Sequence, residues 1–193
     1  MKKLLLFLTI LFNFNLGFSQ TLYDLVSGSA NHTTLKTAID LAGLSGELNG
    51  SEKLTLFAPN DAAFANLPPG LLDALIQDPN GALREVLLYH LLPGEARSSG
   101  LSDGQEIGTL NVGKKIKISI DQNIVKVNDA RVIAADLEAA NGILHEIDGV
   151  LLPQSSIYEI VAGSPHHRTL HTALKAAGLD QPLDEDGPFT LFA

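Results

Sequence analysis

The sequence predicts an α+β protein in which short helices come first and strands follow. Three observations lead to this prediction. Apolar residues recur at helical spacing through the first half, Lys114 to Ile120 alternates between polar and apolar residues, and turn residues divide the second half into short segments. Because the two kinds of element are segregated along the chain, the α+β class is favoured over the others.

The first half begins with two predicted helices. Helical spacing of apolar residues covers Leu22 to Val26 and Leu35 to Ala42. Thr33 or Thr34 is the expected N-cap of the second helix, and Gly43 is its expected end. The first half is therefore expected to open with helices rather than with a sheet.

A buried strand and further helices complete the prediction for the first half. The run from Leu54 to Ala58 is apolar and ends at a proline, which suits a strand, and Asn60 then caps a short helix. Two more apolar helical faces cover Leu71 to Ile76 and Leu83 to His90. The strands predicted for the second half are Lys114–Ile120, Ile124–Val127, Val132–Ala135 and Ile143–Ile147.

Residues 1–19 have the pattern of a signal peptide. Lys2 and Lys3 precede an apolar run from Leu4 to Phe12, and Gly17 to Ser19 offers small residues for cleavage. The apolar run is shorter than the roughly 20 residues of a membrane span. We therefore expect removal of the signal, no membrane insertion afterwards, and a secreted, periplasmic or cell-surface mature protein that begins at Gln20.

Net charge and cysteine content exclude several classes of partner and site. The net charge of -9 repels phosphate backbones, which argues against nucleic acid as a partner. The chain has no cysteine, which excludes disulfides and thiolate metal sites. No residue pattern predicts a metal site, and no cofactor is expected.

An internal repeat organises the chain. Leu22–Val26 returns as Ile157–Val161 and Thr55–Ala58 as Thr190–Ala193, both 135 positions later, and 17 of the 37 paired positions are identical. We therefore predict a complete domain over residues 20–153 and the start of a second, truncated one over residues 154–193. The second segment lacks the β-rich half, so further modules of the same kind are expected in the parent protein.

Three segments of the first unit carry a family resemblance. They are Thr55–Phe64, Val86–Gly94 and Asn141–Pro153, and their order and spacing over residues 21–153 are similar to those of the fasciclin (FAS1) domain family. The resemblance implies a wedge-shaped β-sandwich flanked by short helices. It also implies cell adhesion, matrix contact or surface binding, with an extracellular protein or a surface polysaccharide as partner, rather than catalysis.

The resemblance also suggests candidate site residues. The family's adhesive motif has an aspartate and an aliphatic residue before the last segment, which Asp136 and Leu137 match, although Glu138 replaces a further aliphatic residue. Tyr89 is the expected surface contact beside His90. Helical spacing turns His90 inward, where a hydrogen-bonded structural role is expected. Structural roles are also expected for the motif residues Asn60 and Asp61.

Two other functions remain open from the sequence. Gly100 to Gly104 matches the nucleophile-elbow string of serine hydrolases, with Ser102 as nucleophile, but the required strand before it and helix after it are not predicted. A soluble protein that binds a glycan or another small ligand is a third hypothesis, which an aromatic content of 6% without tryptophan supports poorly. A non-catalytic adhesion module is the leading hypothesis.

Overall fold

A computed structural model describes residues 20–153 and 168–179, with two further single positions, 183 and 191. Helices dominate before residue 91 and strands dominate after it, which confirms the α+β class. The helices are Leu22–Ser27 (α1), Thr33–Leu41 (α2), Ser45–Asn49 (α3), Asp61–Ala65 (α4), Leu71–Gln77 (α5), Ala82–Tyr89 (α6) and Arg168–Ala176 (α7). The strands are Leu54–Pro59 (β1), Leu91–Pro93 (β2), Glu106–Gly108 (β3), Lys115–Asp121 (β4), Ile124–Val127 (β5), Ala130–Ala139 (β6) and Gly142–Ile147 (β7).

The seven strands of residues 20–153 join one sheet in the order β2-β1-β7-β6-β5-β4-β3. β1 and β7 run parallel, with Leu54 opposite Gly142, and the other pairs are antiparallel. The sheet curls until its ends approach each other, since the Leu110 N–H after β3 donates to the Leu91 carbonyl of β2 at 2.8 Å. The result is the wedge-shaped β-sandwich with flanking helices that the resemblance implies.

Two apolar cores lie on opposite faces of β1, and all six of its residues are buried. Successive side chains of a strand point to opposite faces. Leu56 and Ala58 therefore pack against the helices, with Leu35 and Leu83 among their neighbours in the first core. Phe57 faces the second core, which the curled part of the sheet closes with Ile116, Ile118, Val127 and Ile147.

Helix α2 has no capping side chain from its own first residues. The prediction that Thr33 or Thr34 caps it is wrong, because both lie in its first turn. Asp61 of α4 supplies the cap instead: its carboxylate accepts from the Thr34 N–H at 2.8 Å and from the Thr33 hydroxyl at 2.7 Å. Burial alone would raise the pKa of Asp61, but these hydrogen bonds together outweigh it and leave the pKa below its ordinary value.

The structure adds elements that hydrophobic periodicity does not reveal. α3, β2 and β3 have three to five residues each, too few to show a repeating pattern. β6 runs from Ala130 to Ala139, beyond the predicted Val132–Ala135, and its register shifts twice against β7. These shifts are β-bulges, which disturb the alternation by which a strand is recognised.

The described parts of the predicted second unit include helix α7. It covers Arg168–Ala176, which is the range of α2 displaced by 135 positions, and φ is 66° at both Gly43 and Gly178. The predicted signal peptide and most of residues 154–193 lie outside the described residues, including the repeat of Thr55–Ala58 at Thr190–Ala193 apart from position 191. No helix within residues 20–153 or 168–179 is long and apolar enough to cross a bilayer.

Candidate binding surface

Asn60 and Asp61 connect the helical layer to the sheet. The Asn60 side-chain oxygen accepts from the Ala63 N–H at 2.9 Å and caps α4, and its amide nitrogen donates to Glu146 Oε1 on β7 at 3.2 Å. Asp61 caps α2 as described above. Asn60 and Asp61, which lie within the first family segment, therefore hold three elements together, and their side chains are occupied within the domain.

Asn141 is a structural residue whose role the sequence does not disclose. It is 3% exposed, accepts from the Leu22 N–H at 2.8 Å, and donates to the carbonyls of Leu48 at 2.8 Å and Gly50 at 2.9 Å. The side-chain amide of Asn141, just before β7, thus provides hydrogen-bond partners for backbone groups at the start of α1 and the end of α3. Its neighbour Gly142 has no room for a side chain, because a Cβ atom there would overlap the Leu54 carbonyl oxygen.

His90 follows α6 directly and is 1% exposed. Its Nδ1–H donates to the Val86 carbonyl at 2.8 Å, and its Nε2 accepts from the Leu151 N–H at 2.9 Å. Because Leu151 can only donate, the neutral Nδ1–H tautomer is required. Burial lowers the pKa of His90 to about 4, and the bond to Val86 offsets only part of this effect. The ring links the end of α6 to the segment after β7.

The expectation that Tyr89 contacts a partner at the surface is wrong. Tyr89 is 5% exposed, and its ring belongs to the second core. Its hydroxyl donates to the Lys115 carbonyl at 2.7 Å and accepts from the Asn128 side chain at 3.0 Å. Tyr89 lies at the end of α6 and anchors β4, and its hydrogen bonds do not connect it to Asp136 or Leu137.

Asp136 holds a turn of the chain against β6. Its backbone is left-handed, with φ at 58°, and lies at the second register shift of the strand. The carboxylate accepts from the Ser98 N–H at 2.9 Å and also from the Ser98 hydroxyl. These two bonds, the hydroxyl bond first, lower the pKa of Asp136. The turn at Ser98–Gly100 is thereby fixed to the bulge of β6.

His145 supports the same bulge from β7. Its Nδ1 accepts from the Asp136 N–H at 3.2 Å, its Nε2–H donates to the Ala96 carbonyl at 2.8 Å, and its ring stacks on Phe57 at 5.3 Å between centroids. Although serine, aspartate and histidine meet here, the Ser98 hydroxyl donates to the carboxylate and not to the ring. Neither ring nitrogen is free to accept a proton from serine, so the geometry differs from a nucleophile–base pair.

Leu137 differs from its neighbour Asp136 because its side chain is 43% exposed. Ile133 on the same strand is 48% exposed, and exposed positions alternate along β6 with partly covered ones. Beside them, Arg97 pairs with Glu138 at 2.7 Å. The structure therefore separates the two residues of the proposed adhesive pair: the Asp136 carboxylate is bound to Ser98, while Leu137 faces solvent.

Ser102 lies in an exposed turn between the Ser98–Gly100 turn and β3. Its N–H donates to Gln105 Oε1 at 3.0 Å, and its carbonyl accepts from the Gln105 N–H at 3.2 Å. The residue thus lacks the strand before it and the helix after it that present a nucleophile in serine hydrolases.

Groups of three or more acidic or histidine side chains that could hold a metal ion are absent from the described residues.

Comparison with known proteins identifies the family. The profile of the fasciclin domain matches residues 30–153, which include the helical layer from α2 onward and the whole sheet. The chain belongs to the fasciclin domain family. The sites described above therefore belong to a fasciclin domain, and the family is one of adhesion-type proteins.

Curated relatives of this fasciclin domain occur in bacteria and animals. The chain is 35% identical to protein sll1483 of Synechocystis sp. over 70% of its length and 74% of that protein. It is 33% identical to the transforming growth factor-beta-induced protein ig-h3 of Oryctolagus cuniculus over 89% of its length, but it spans only 26% of that protein. Immunogenic protein MPB70 of Mycobacterium bovis is 31% identical, over 71% of the chain and 72% of that protein.

Comparison with solved structures finds a match to the FAS1 domain pair from the insect cell adhesion molecule fasciclin I. Its TM-score is 0.49 at 18% identity, and the comparison covers 78% of this chain and 56% of that one.

Proposed function

We propose that this fasciclin domain is an exported, non-catalytic adhesion or binding module that contacts an extracellular protein or a surface polysaccharide. One observation carries the proposal: Leu137, a large aliphatic side chain, is 43% exposed at a bulge of β6. Membership of an adhesion-type family supports the same role. The signal-peptide pattern of residues 1–19 supports export to the periplasm, the cell surface or the medium.

The support of the bulge favours Leu137 as a contact residue. Asp136 is held by Ser98 and His145, so the backbone next to Leu137 is fixed before any partner arrives. A contact residue on a fixed backbone loses less conformational entropy on binding than one on a mobile loop. In this proposal Asp136 positions the site, and Leu137 makes the contact with the partner.

Attachment of beads coated with the mature chain tests the proposal. Leu137→Ser is compared with Leu41→Ser, since Leu41 is 45% exposed on α2 and loses the same apolar surface elsewhere. On immobilised matrix protein or surface polysaccharide, we expect Leu137→Ser to weaken attachment about fivefold or more, as for an interface residue of more than 1 kcal/mol. Leu41→Ser should attach like the unmodified chain. Equal attachment of all three proteins, each folded, would remove Leu137 from the site.

The non-catalytic part of the proposal has its own test. A fluorophosphonate probe reacts with activated serine nucleophiles. We expect no labelling of the mature chain, and in particular none at Ser102. Labelling that disappears in Ser102→Ala would replace the adhesion proposal with the hydrolase hypothesis.

The division into modules also belongs to the proposal. We infer a complete fasciclin domain over residues 20–153 and the beginning of another over residues 154–193. Limited proteolysis should cut first after Pro153 and leave a resistant fragment of roughly residues 21–153, because the repeat places a linker between two modules there and linkers are preferred cleavage sites. Resistance of the segment after Ser156 equal to that of the core would contradict this division.

A further inference from the structure

Cations are concentrated on one part of the domain. Residues 20–153 carry nine lysine and arginine residues against seventeen aspartate and glutamate residues. Five of the nine cations fall between positions 114 and 131: Lys114 precedes β4, and the other four lie in β4, β5 and the start of β6. An acidic domain therefore has a local group of positive side chains, which sequence motifs do not reveal.

Strand register brings three of these cations together on the outer face of the curled sheet. In β4, Lys117 is exposed while Ile116 and Ile118 are buried. Lys126 of β5 lies directly opposite Arg131 of β6, so their Cβ atoms are separated by about 5 Å. Ser119 of β4 lies opposite Lys126. Lys117, two residues before Ser119, is therefore the diagonal neighbour of Lys126, at a distance of about 7–8 Å. We call Lys117, Lys126 and Arg131 the basic face.

The side chains of the basic face have no acidic partner within the described residues, whereas most other cations of the domain have one. Elsewhere in residues 20–153, carboxylates pair with Lys36 at 2.6 Å, Lys53 at 2.8 Å, Arg84 at 2.9 Å and Arg97 at 2.7 Å. No ion pair within the described residues involves Lys117, Lys126 or Arg131. Like charges directly opposite one another in a sheet repel. An anionic ligand would relieve this repulsion.

Of the carboxylates near the basic face, those of Asp121 and Asp129 are exposed and make no hydrogen bond or ion pair within the described residues, whereas two others are engaged in other contacts. Glu106 lies opposite Lys117, but its carboxylate pairs with Lys115 at 3.5 Å. Asp148 accepts from the backbone N–H of Arg131 at 2.7 Å. These acidic groups reduce the local positive potential without neutralising the three cations, so we expect binding to be moderate and sensitive to salt.

We propose that the basic face binds a linear polyanion, namely an acidic polysaccharide that carries carboxylate or sulfate groups. The inference rests on the proposed adhesion function and specifies the partner of a second surface of the same domain. A polymer with regularly spaced anions can contact all three cations at once, so its individually weak contacts add to a useful affinity. The exposed strand face suits an extended chain better than a small ion.

The charge of the remaining surface favours a thin, flexible polyanion over duplex nucleic acid. A rigid, densely charged duplex would also meet the acidic remainder of the domain, since residues 20–153 carry nine cationic and seventeen anionic side chains. A single polysaccharide chain can follow the row across β4, β5 and β6 and leave the acidic faces untouched. An acidic protein segment is the other possible occupant, and the test includes it.

Binding of polygalacturonate and dextran sulfate to the mature chain tests this proposal, with uncharged dextran and polyglutamate as comparison polymers. The variant Lys117→Gln/Lys126→Gln/Arg131→Gln removes the basic face. The control Lys36→Gln/Lys53→Gln/Arg84→Gln changes the net charge by the same amount but alters three cations that are paired elsewhere. Thermal melts establish that both variants fold.

We expect the first variant to lose about tenfold or more in affinity for both acidic polysaccharides, and the control much less. Raising NaCl from about 0.05 M to about 0.5 M should weaken binding by the unmodified chain, and uncharged dextran should not bind. Equal losses in the two variants, or no binding to either polysaccharide, would overturn the proposal. Binding to polyglutamate alone would overturn it in favour of an acidic protein.

The attachment assay with Leu137→Ser separates this inference from the proposed function. If polysaccharide binding fails while attachment still depends on Leu137, only the basic face is refuted. If polysaccharide binding depends on the basic face but attachment does not depend on Leu137, the contact site of the proposed function is refuted instead.

Discussion

Polar side chains have different environments in two regions of the domain, the interior beside β1 and β7 and the outer face of β4 to β6. In the interior, Asn141 and His90 have hydrogen-bond partners at every side-chain nitrogen and oxygen. On the outer face, the charged groups of Lys126 and Arg131 have none within the described residues, and Leu137 is exposed. One region uses its polar groups for folding, and the other leaves them available.

This contrast assigns different roles to different parts of the sequence. The segments that identify the family supply Asn60, His90 and Asn141, whose side chains are all bound within the domain. Buried polar groups must be paired, so such residues tolerate little change. The exposed residues of β4 to β6 are free from this requirement. We therefore expect substitutions to affect stability in the interior and binding on the outer face.

The largest effect is expected for Asn141→Ala. The substitution leaves the Leu22 N–H and the carbonyls of Leu48 and Gly50 without their buried partner. The free energy of unfolding, measured with urea, should fall by about 3 kcal/mol or more. Asn66→Ala, at an exposed helix end, is the control and should change it by less than about 0.5 kcal/mol. Similar losses in both variants would contradict the role of Asn141.

His90→Ala should lower the free energy of unfolding by about 1–3 kcal/mol, since the Leu151 N–H and the Val86 carbonyl lose their partner. The effect should depend on pH. The pKa of His90 is about 4 in the folded chain and near 6.5 when unfolded. The unfolded chain therefore binds more protons between these values, so the contribution of His90 is complete above about pH 6.5 and is lost towards pH 4.

Urea unfolding across this pH range checks the sign of the His90 effect. The free energy of unfolding of the unmodified chain should rise by up to roughly 3 kcal/mol from this residue between pH 4 and pH 6.5. His90→Ala should show a smaller slope. Identical slopes would mean that the ring is not held neutral by burial.

A smaller effect is expected for Asp136→Asn. The two oxygens of the carboxylate each accept one hydrogen bond from Ser98, whereas an amide has one oxygen and keeps only one of these bonds. We therefore expect the free energy of unfolding to fall by about 1 kcal/mol at neutral pH. The pKa of Asp136 is lowered in the folded chain, so its contribution is present above the ordinary aspartate pKa and disappears as pH falls through the lower folded value. Melting curves of both proteins should converge in acid. A difference that persists there would contradict this explanation.

The smallest effect on stability is expected for Lys126→Gln. This change removes repulsion from Arg131, which lies directly opposite. The free energy of unfolding should therefore stay the same or rise by a few tenths of a kcal/mol, and the melting temperature should not fall. Lys36→Gln, which breaks the pair with Asp40 at 2.6 Å, is the control and should lower stability by a similar amount. A clear loss of stability in Lys126→Gln would place that side chain in the fold rather than in binding.

Much of the fold could be predicted from sequence because its elements have strong local patterns. The apolar run Leu54–Ala58 gave β1, and the alternation from Lys114 to Ile120 gave β4. The short elements α3, β2 and β3 were missed, because tertiary contacts define them. The cap of α2 was misassigned for a related reason: Asp61 is 27 positions from Thr34, and no local rule places its carboxylate there.

The candidate site was less predictable. Helical spacing placed His90 inward, but the sequence cannot show that Tyr89 turns its hydroxyl to Lys115 and is buried as well. The resemblance treated Asp136 and Leu137 as one unit, whereas a bulge gives their side chains different environments. The basic face could not be predicted from sequence, because its residues lie on three strands and only the strand register brings them together.

The most direct test of the account measures attachment and melting temperature together for His90→Ala and Leu137→Ser. Well below its melting temperature, folded His90→Ala should attach like the unmodified chain although it melts earlier. Leu137→Ser should melt almost like the unmodified chain, because Leu137 is already 43% exposed, but should attach weakly. Loss of attachment by folded His90→Ala with full attachment by Leu137→Ser would contradict the separation of a structural interior from a binding outer face.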